Sequence, residues 1–141
     1  MQHRRVGDYS DASGIHGFVY SGGVFKTIDD PSATLGTIVL GINDSGTVVG
    51  TYTDATGMHG FLESGGVFAA IDDPNAGSGG TSASGINNHG EIVGYYHDAA
   101  GQGHGFTAIA GTVSSVPEPT TIALFAAALG SVCFLRRRKQ I

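Results

Sequence analysis

Three histidines recur in one local setting: His16-Gly17-Phe18, His59-Gly60-Phe61 and His104-Gly105-Phe106. Imidazole titrates near neutrality and can act as base, acid or metal ligand. Carboxylates recur with it, as Asp11, Asp54 and Asp98 and as the pairs Asp29-Asp30 and Asp72-Asp73. Clustered carboxylate oxygens suit a hard cation such as calcium. However, Asp11-Ala12-Ser13-Gly14 and Asp54-Ala55-Thr56-Gly57 offer one carboxylate each, short of the alternating Asp-x-Asp-x-Asp-Gly of a calcium loop. A reaction centre needs unlike neighbours converging on one point, whereas a residue present in every copy of a repeat serves the fold. The expectation is therefore no catalytic, cofactor or metal site. His16, His59 and His104 are hydrogen-bonding residues beside Phe18, Phe61 and Phe106, and the Asp residues cap turns through their own backbone amides. Tyr9, Tyr52 and Tyr96 could stack on sugar rings, but their recurrence favours packing. No Gly-x-Ser-x-Gly elbow, P-loop or His-Glu-x-x-His is present, and Cys133, the single cysteine, lies in an apolar tail.

The elements that must carry these residues follow from an internal repeat. Residues 7–49 and 50–93 match at more than half of their positions with one inserted residue near Gly79, and a partial third copy occupies 94–111. Each copy holds about four short apolar runs separated by turn chemistry, which predicts successive antiparallel strands. In the second copy these fall near Thr81 to Ile86, Ile92 to Tyr96, His59 to Glu63 and Val67 to Ile71. Gly22-Gly23 and Gly65-Gly66 read as hairpin turns rather than phosphate cradles, because each joins two strands instead of opening a helix. The period and strand count fit a propeller-blade-like unit, although two and a half copies fall short of the four to eight blades of a closed ring. The fold class expected is an all-β repeat followed by one C-terminal helix. Open repeat ends leave unpaired strand edges and apolar surface, so self-association of residues 1–115 is expected.

Composition agrees. The 141 residues include Gly 24 and Pro 4, while charged residues make up only 13%, poor material for a helical bundle. Hydrophobic residues at 40% with 7 Phe and 5 Tyr argue against global disorder. The net charge of −5 conceals an asymmetry, because four of the seven basic residues are Arg136, Arg137, Arg138 and Lys139. The remaining body is strongly acidic and repels phosphate backbones, which excludes nucleic acid as an expected partner.

The units resemble the bacterial extracellular HAF repeats, whose core is His-(Ala/Gly)-Phe. Here that core is followed by Gly41-Ile42-Asn43 and Gly85-Ile86-Asn87, with Asn43 and Asn87 completing the recurring residues. The resemblance implies a secreted or surface-exposed β-repeat protein. After a linker at 112–116 comes Pro117-Glu118-Pro119, then an uncharged, mostly apolar run at 120–135, then Arg136-Arg137-Arg138-Lys139. As a helix that run spans roughly 24 Å, short of a hydrocarbon core of about 30 Å, and flanking arginines can snorkel to make up part of the difference. The basic cluster predicts a cytoplasmic C-terminus with the repeats outside.

This three-part order over residues 117–141 is similar to the PEP-CTERM protein-sorting signal of Gram-negative bacteria. That resemblance implies that Pro117, Glu118 and Pro119 are recognised by an exosortase-like membrane enzyme. It further implies anchoring in the inner membrane before processing, then a place at the cell surface or outside it, in association with extracellular polysaccharide or biofilm material. Residues 1–6 contain Arg4 and Arg5 but no apolar stretch after them, so an upstream segment with an export signal and further repeats is expected. The function expected is structural or binding rather than enzymatic. The competing class is a carbohydrate-binding, carbohydrate-active or metal-dependent propeller whose site lies partly in further repeats.

Overall fold

The computed structural model describes residues 3–111 and the strand segments 121–124 and 132–136. The described residues are all β: β1 (Arg5–Asp11), β2 (Gly14–Ser21), β3 (Val24–Ile28), β4 (Gly36–Ile42), β5 (Val48–Asp54), β6 (Gly57–Ser64), β7 (Val67–Ile71), β8 (Thr81–Ile86), β9 (Glu91–His97), β10 (Gly103–Gly111), β11 (Thr121–Leu124) and β12 (Val132–Arg136). The four strands expected in the second copy appear as β8, β9, β6 and β7. Gly22, Gly23, Gly65 and Gly66 all have positive φ, 58°, 84°, 59° and 86°. Two central residues in that region make the tight two-residue turn whose twist matches its flanking strands.

Shifting β1, β2 and β3 by 43 residues superposes them on β5, β6 and β7. The repeating body is thus a meander, β4-β5-β6-β7, preceded by the three-stranded β1-β2-β3 and followed by β8-β9-β10. A sequence repeat has no inherent starting point, and the cuts made at 49/50 and 93/94 fall inside β5 and β9. Both sheets are open. One runs β1-β2-β4-β5-β6-β7 with β3 also paired to β2, and the other runs β11-β12-β10-β9-β8.

Because side chains alternate across a strand, the middle unit has two apolar faces, and each packs against a different neighbour. Val48, Tyr52 and Phe61 of the middle unit meet Ile28 of the first unit, with Val39 of β4 between them. Val49, Leu62, Ala69 and Ile71, on the opposite face, meet Ala83, Ile92, Tyr96, Phe106 and Ala108 of the third. Thr51 and Ser82 join their hydroxyls across this second interface at 3.0 Å. At the first interface Glu63, 3% exposed, accepts from the Gly66 amide at 2.8 Å and lies 4.0 Å from Lys26 Nζ. The equivalent positions at the second interface are Ala69 and Ala108, an apolar pair in the same place.

The tail differs from the expected helix over 120–135. Its described parts are strands: β12 pairs antiparallel with β10 (Ile109↔Phe134, Ala110↔Cys133) and with β11. The outer edge of β10 offers unpaired amides and carbonyls, and the β-favouring residues of Val132-Cys133-Phe134-Leu135 satisfy them. β12 thereby takes the place beside β10 that β7 takes beside β6. Residue 120 and residues 125–131 of the expected helix lie outside the described residues, as do the linker 112–116, the Pro117-Glu118-Pro119 motif and Arg137, Arg138 and Lys139 of the basic cluster. Among the described residues no helix is long and apolar enough to cross a membrane.

Candidate functional site

The recurring histidines stand where hairpin register puts them. His16, His59 and His104 are directly opposite Tyr9, Tyr52 and Tyr96. Each imidazole stacks on its tyrosine, with centroids 5.1, 5.0 and 5.1 Å apart. Facing positions on one sheet surface bring rings into this contact.

In the first unit His16 Nδ1 donates to Asp29 Oδ2 at 2.8 Å, at the end of β3. Its Nε2 lies 3.1 Å from Asp11 Oδ1 and 2.8 Å from Ser13 Oγ. The second unit repeats the arrangement with substitutions of like chemistry. His59 Nδ1 meets Asp72 Oδ2 at 3.0 Å, and Nε2 meets Asp54 Oδ1 at 3.1 Å and Thr56 Oγ1 at 2.8 Å. In the third unit the bond among the described residues is His104 Nε2 to Asp98 Oδ2 at 2.7 Å. Each complete clamp ties the first hairpin of a unit to the end of the next strand.

An acid, an imidazole and a hydroxyl in line, as in Asp29-His16-Ser13, has the order of a nucleophilic triad. Its hydrogen-bond directions differ from those of a triad. The Ser13 hydroxyl donates to Asp11 Oδ1 at 2.6 Å, and the Ser13 amide donates to the same oxygen at 2.7 Å. The serine proton therefore points away from His16. Carboxylate oxygens at both ends of the ring favour its doubly protonated form, in which both nitrogens donate. Thr56 and Asp54 repeat the pattern at 2.6 and 2.7 Å. The cleft beside His16, lined by Ser13, Asp29, Asp30 and Thr37, holds ≈ 130 Å³, below the several hundred Å³ typical of small-molecule sites.

The charges follow the same geometry. The Ser13 hydroxyl and amide, then His16, draw Asp11 down to about 2; Thr56 and His59 do the same to Asp54. Asp98 is lowered by His104 and then by the Gln102 amide. The bond to Asp29 raises His16, against burial and with help from Asp11. Burial pushes His59 down, yet Asp72 and Asp54 together outweigh it and the net shift is upward. Asp72 is raised by burial against the pull of His59. Burial, then Asp30, Asp72 and Asp54, lift Tyr52 to about 12, so it stays a neutral stacking partner.

A pH dependence follows with a defined sign. Histidines raised above 6.5 stabilise the fold fully below about pH 6.5, and that contribution is lost as pH climbs through their folded values. Asp11 and Asp54 stabilise it above about pH 3.8 and lose their effect as pH falls towards about 2. Asp72, raised, has the opposite sign to Asp54, and its titration belongs to the acid side. Thermal melts are expected to show Tm declining from pH 6 to 9, and His16→Gln with His59→Gln is expected to flatten that decline. An unchanged slope in the double variant would show that the clamps do not carry it.

Asn43 and Asn87 also have structural places. The Asn43 side-chain oxygen accepts the Thr47 amide at 2.9 Å, and that of Asn87 accepts the His89 and Glu91 amides at 2.9 and 3.0 Å. The two turns are laced together: Asn43 Nδ2 donates to the Asn87 carbonyl at 3.2 Å, and the Asp44 amide donates to Asn88 Oδ1 at 2.8 Å. Arg4 caps the stack by donating to the Asn43 and Asp44 carbonyls at 3.2 and 2.9 Å. Phe18, Phe61 and Phe106 lie beside the histidine clamps, on the unit face that Phe61 and Phe106 pack against the preceding unit. Among the described residues no group of three or more His, Cys, Asp or Glu side chains is set to hold a metal ion. Asp11 and Asp29 lie near His16 but at opposite ends of its ring.

Sequence reading found the histidines but missed their second acid. Asp29-Asp30 and Asp72-Asp73 read as turn residues. Asp30 and Asp73 do cap turns, accepting the Ser32 and Asn75 amides at 2.8 and 2.9 Å, whereas Asp29 and Asp72 turn back to the rings. The signal lay in equal spacing, 13 residues from His16 to Asp29 and from His59 to Asp72.

No curated protein and no solved structure matches the chain. The model of the PEP-CTERM protein-sorting motif matches residues 115–139, covering Pro117-Glu118-Pro119, the apolar run and the basic cluster. The chain thus carries, behind a β-repeat body, a sorting motif that points to an exported protein anchored at the membrane and processed by an exosortase-like enzyme.

Proposed function

We propose that this protein is a structural or binding component of the cell surface or extracellular matrix, delivered there by its sorting tail and without enzymatic activity of its own. The observation that carries the reading is the sorting motif at 115–139 directly after a body whose recurring histidines and aspartates are hydrogen-bonded to one another within each unit. In this reading residues 120–135 become helical in the inner membrane, where a helix satisfies every backbone group. Arg136, Arg137, Arg138 and Lys139 then hold the C-terminus on the cytoplasmic side. An exosortase-like enzyme recognises Pro117, Glu118 and Pro119, and the released acidic body takes its place among extracellular polysaccharide. The blade-like units resemble the HAF repeats, and their open ends supply a route to self-association.

The test is cell fractionation of the chain produced from its own gene, so that upstream coding sequence is included. The wild-type body is expected outside the inner membrane, and Glu118→Ala is expected to retain it there at full length. Equal distribution of the two would overturn the sorting role of the motif.

A further inference from the structure

The cleft beside His16 is lined by residues from 13 to 37 and holds two adjacent carboxylates, Asp29 and Asp30, together with Thr34. Asp30 is only 6% exposed. Its Oδ1 accepts the Ser32 amide at 2.8 Å, and among the described residues no Lys, Arg or His forms an ion pair with it. His59, which attracts it across the unit boundary, is already held by Asp54 and Asp72. Burial keeps Asp30 above its ordinary carboxylate value, against the pull of Ser32 and His59. A buried carboxylate short of positive charge is stabilised by a cation brought beside it. We infer that this cleft binds a primary ammonium group carried on a short aliphatic stem, as in an aliphatic diamine.

The same place in the second unit is drawn shut. Its loop carries the inserted residue, and the Ser78 carbonyl oxygen lies 3.3 Å from where a side chain at Gly57 would begin, against 3.8 Å for Leu35 and Gly14. A side chain at Gly80 would fall on the Met58 carbonyl oxygen, whereas one at Gly36 would stand 3.2 Å from that of Ile15. Asp73, the counterpart of Asp30, receives both the amide and the side-chain nitrogen of Asn75, at 2.9 and 3.3 Å. The open cleft thus belongs to one copy, where a few polar groups converge beside apolar walls, the usual composition of a binding site. A preceding unit would leave it open. Inside the body the first unit meets the second through the Thr34 and Leu35 amides on the Thr53 carbonyl, at 3.1 and 3.0 Å, and the counterpart of Thr53 is Ser10, outside the lining.

Size, charge and walls define the occupant. A volume of ≈ 130 Å³ admits one charged group and its first carbons rather than a whole ligand. Asp29 has Oδ2 on His16 and a side chain 43% exposed, so it stands beside Asp30 as a second acceptor. An ammonium has three donors and no acceptor, matched here by two carboxylates and the Thr34 hydroxyl. Leu35, 64% exposed, and Ile15, 37% exposed, line the same cleft and offer apolar surface to the methylenes behind the charge. A metal ion fits less well, because among the described residues no three ligating side chains gather.

The inference names a ligand for the binding role proposed above and does not rest on sorting, which fractionation reports separately. The test is an NMR titration of the full chain in a mild non-ionic detergent with the diamine putrescine, and with the diol of the same length as its uncharged counterpart. The amides of Ala33, Thr34, Leu35 and Gly36 are expected to shift with putrescine and to saturate with a Kd of about 1 mM, and the diol is expected to leave them unmoved. Asp30→Asn keeps an oxygen for the Ser32 amide and is expected to weaken binding about tenfold or more. Leu35→Lys, at an exposed position, is expected to abolish binding by placing a cation at the mouth. Both variants are expected to keep the β circular-dichroism spectrum, and Asp73→Asn, in the closed copy, is expected to leave binding unchanged. An acetylated lysine amide titrated in place of putrescine separates two sources of the same group: tighter binding of it puts the ammonium on a protein's lysine side chain, and weaker binding puts it on a free amine. Three results would overturn the inference: no saturable shift with either amine, an equal response to the diol, or unchanged binding in Asp30→Asn.

Discussion

Phe61→Ala is expected to destabilise the protein by about 3–5 kcal/mol, the range for removing a buried phenyl ring and leaving a cavity. Phe61 is 0% exposed and reaches Ile28 and Val39 across the boundary between the first and middle units. Phe18, its counterpart one repeat earlier, is only partly buried, and Phe18→Ala is expected to cost less than half as much in the monomer. Denaturant midpoints at low protein concentration measure both. Equal losses would mean that burial between units is not what holds them.

Gly50→Ala is expected to cost about 3 kcal/mol, at the upper end for overpacking a closely fitted site. The added methyl would fall on the Ile38 carbonyl oxygen and 3.0 Å from the Phe61 ring. Relief therefore needs β4 to move away from β5, which breaks a ladder at the centre of the seven-stranded sheet. Gly7→Ala changes the same repeat position on β1, where the near atoms among the described residues are those of the Phe18 ring, which can turn. It is expected to leave the melting temperature within a degree or two. Thermal melts of the pair separate backbone crowding from the lost flexibility of glycine, which is common to both.

The strands were legible because the chain writes the same alternation and the same turns more than once. Gly22-Gly23 and Gly65-Gly66 announce hairpins with no tertiary information, since only glycine takes those backbone angles freely. What lay across an interface was not legible. The exchange of Lys26 and Glu63 for Ala69 and Ala108 becomes meaningful only when the faces are known to meet. The recurrence of the histidines was legible, but the clamp they form depends on where Asp29 and Asp72 return. The tail shows how far periodicity reaches. A run that is apolar on all sides suits a helix in lipid and a strand beside an open edge equally well, and in the described segments it takes the strand beside β10.

The central claim is that a β-repeat body is delivered outside the cell by a tail that is then removed. The intact mass of the body recovered outside the cell tests it most directly. The predicted result is a chain ending close to Pro117-Glu118-Pro119 and lacking Arg136, Arg137, Arg138 and Lys139. A recovered mass that still includes the basic cluster through Ile141 would contradict it.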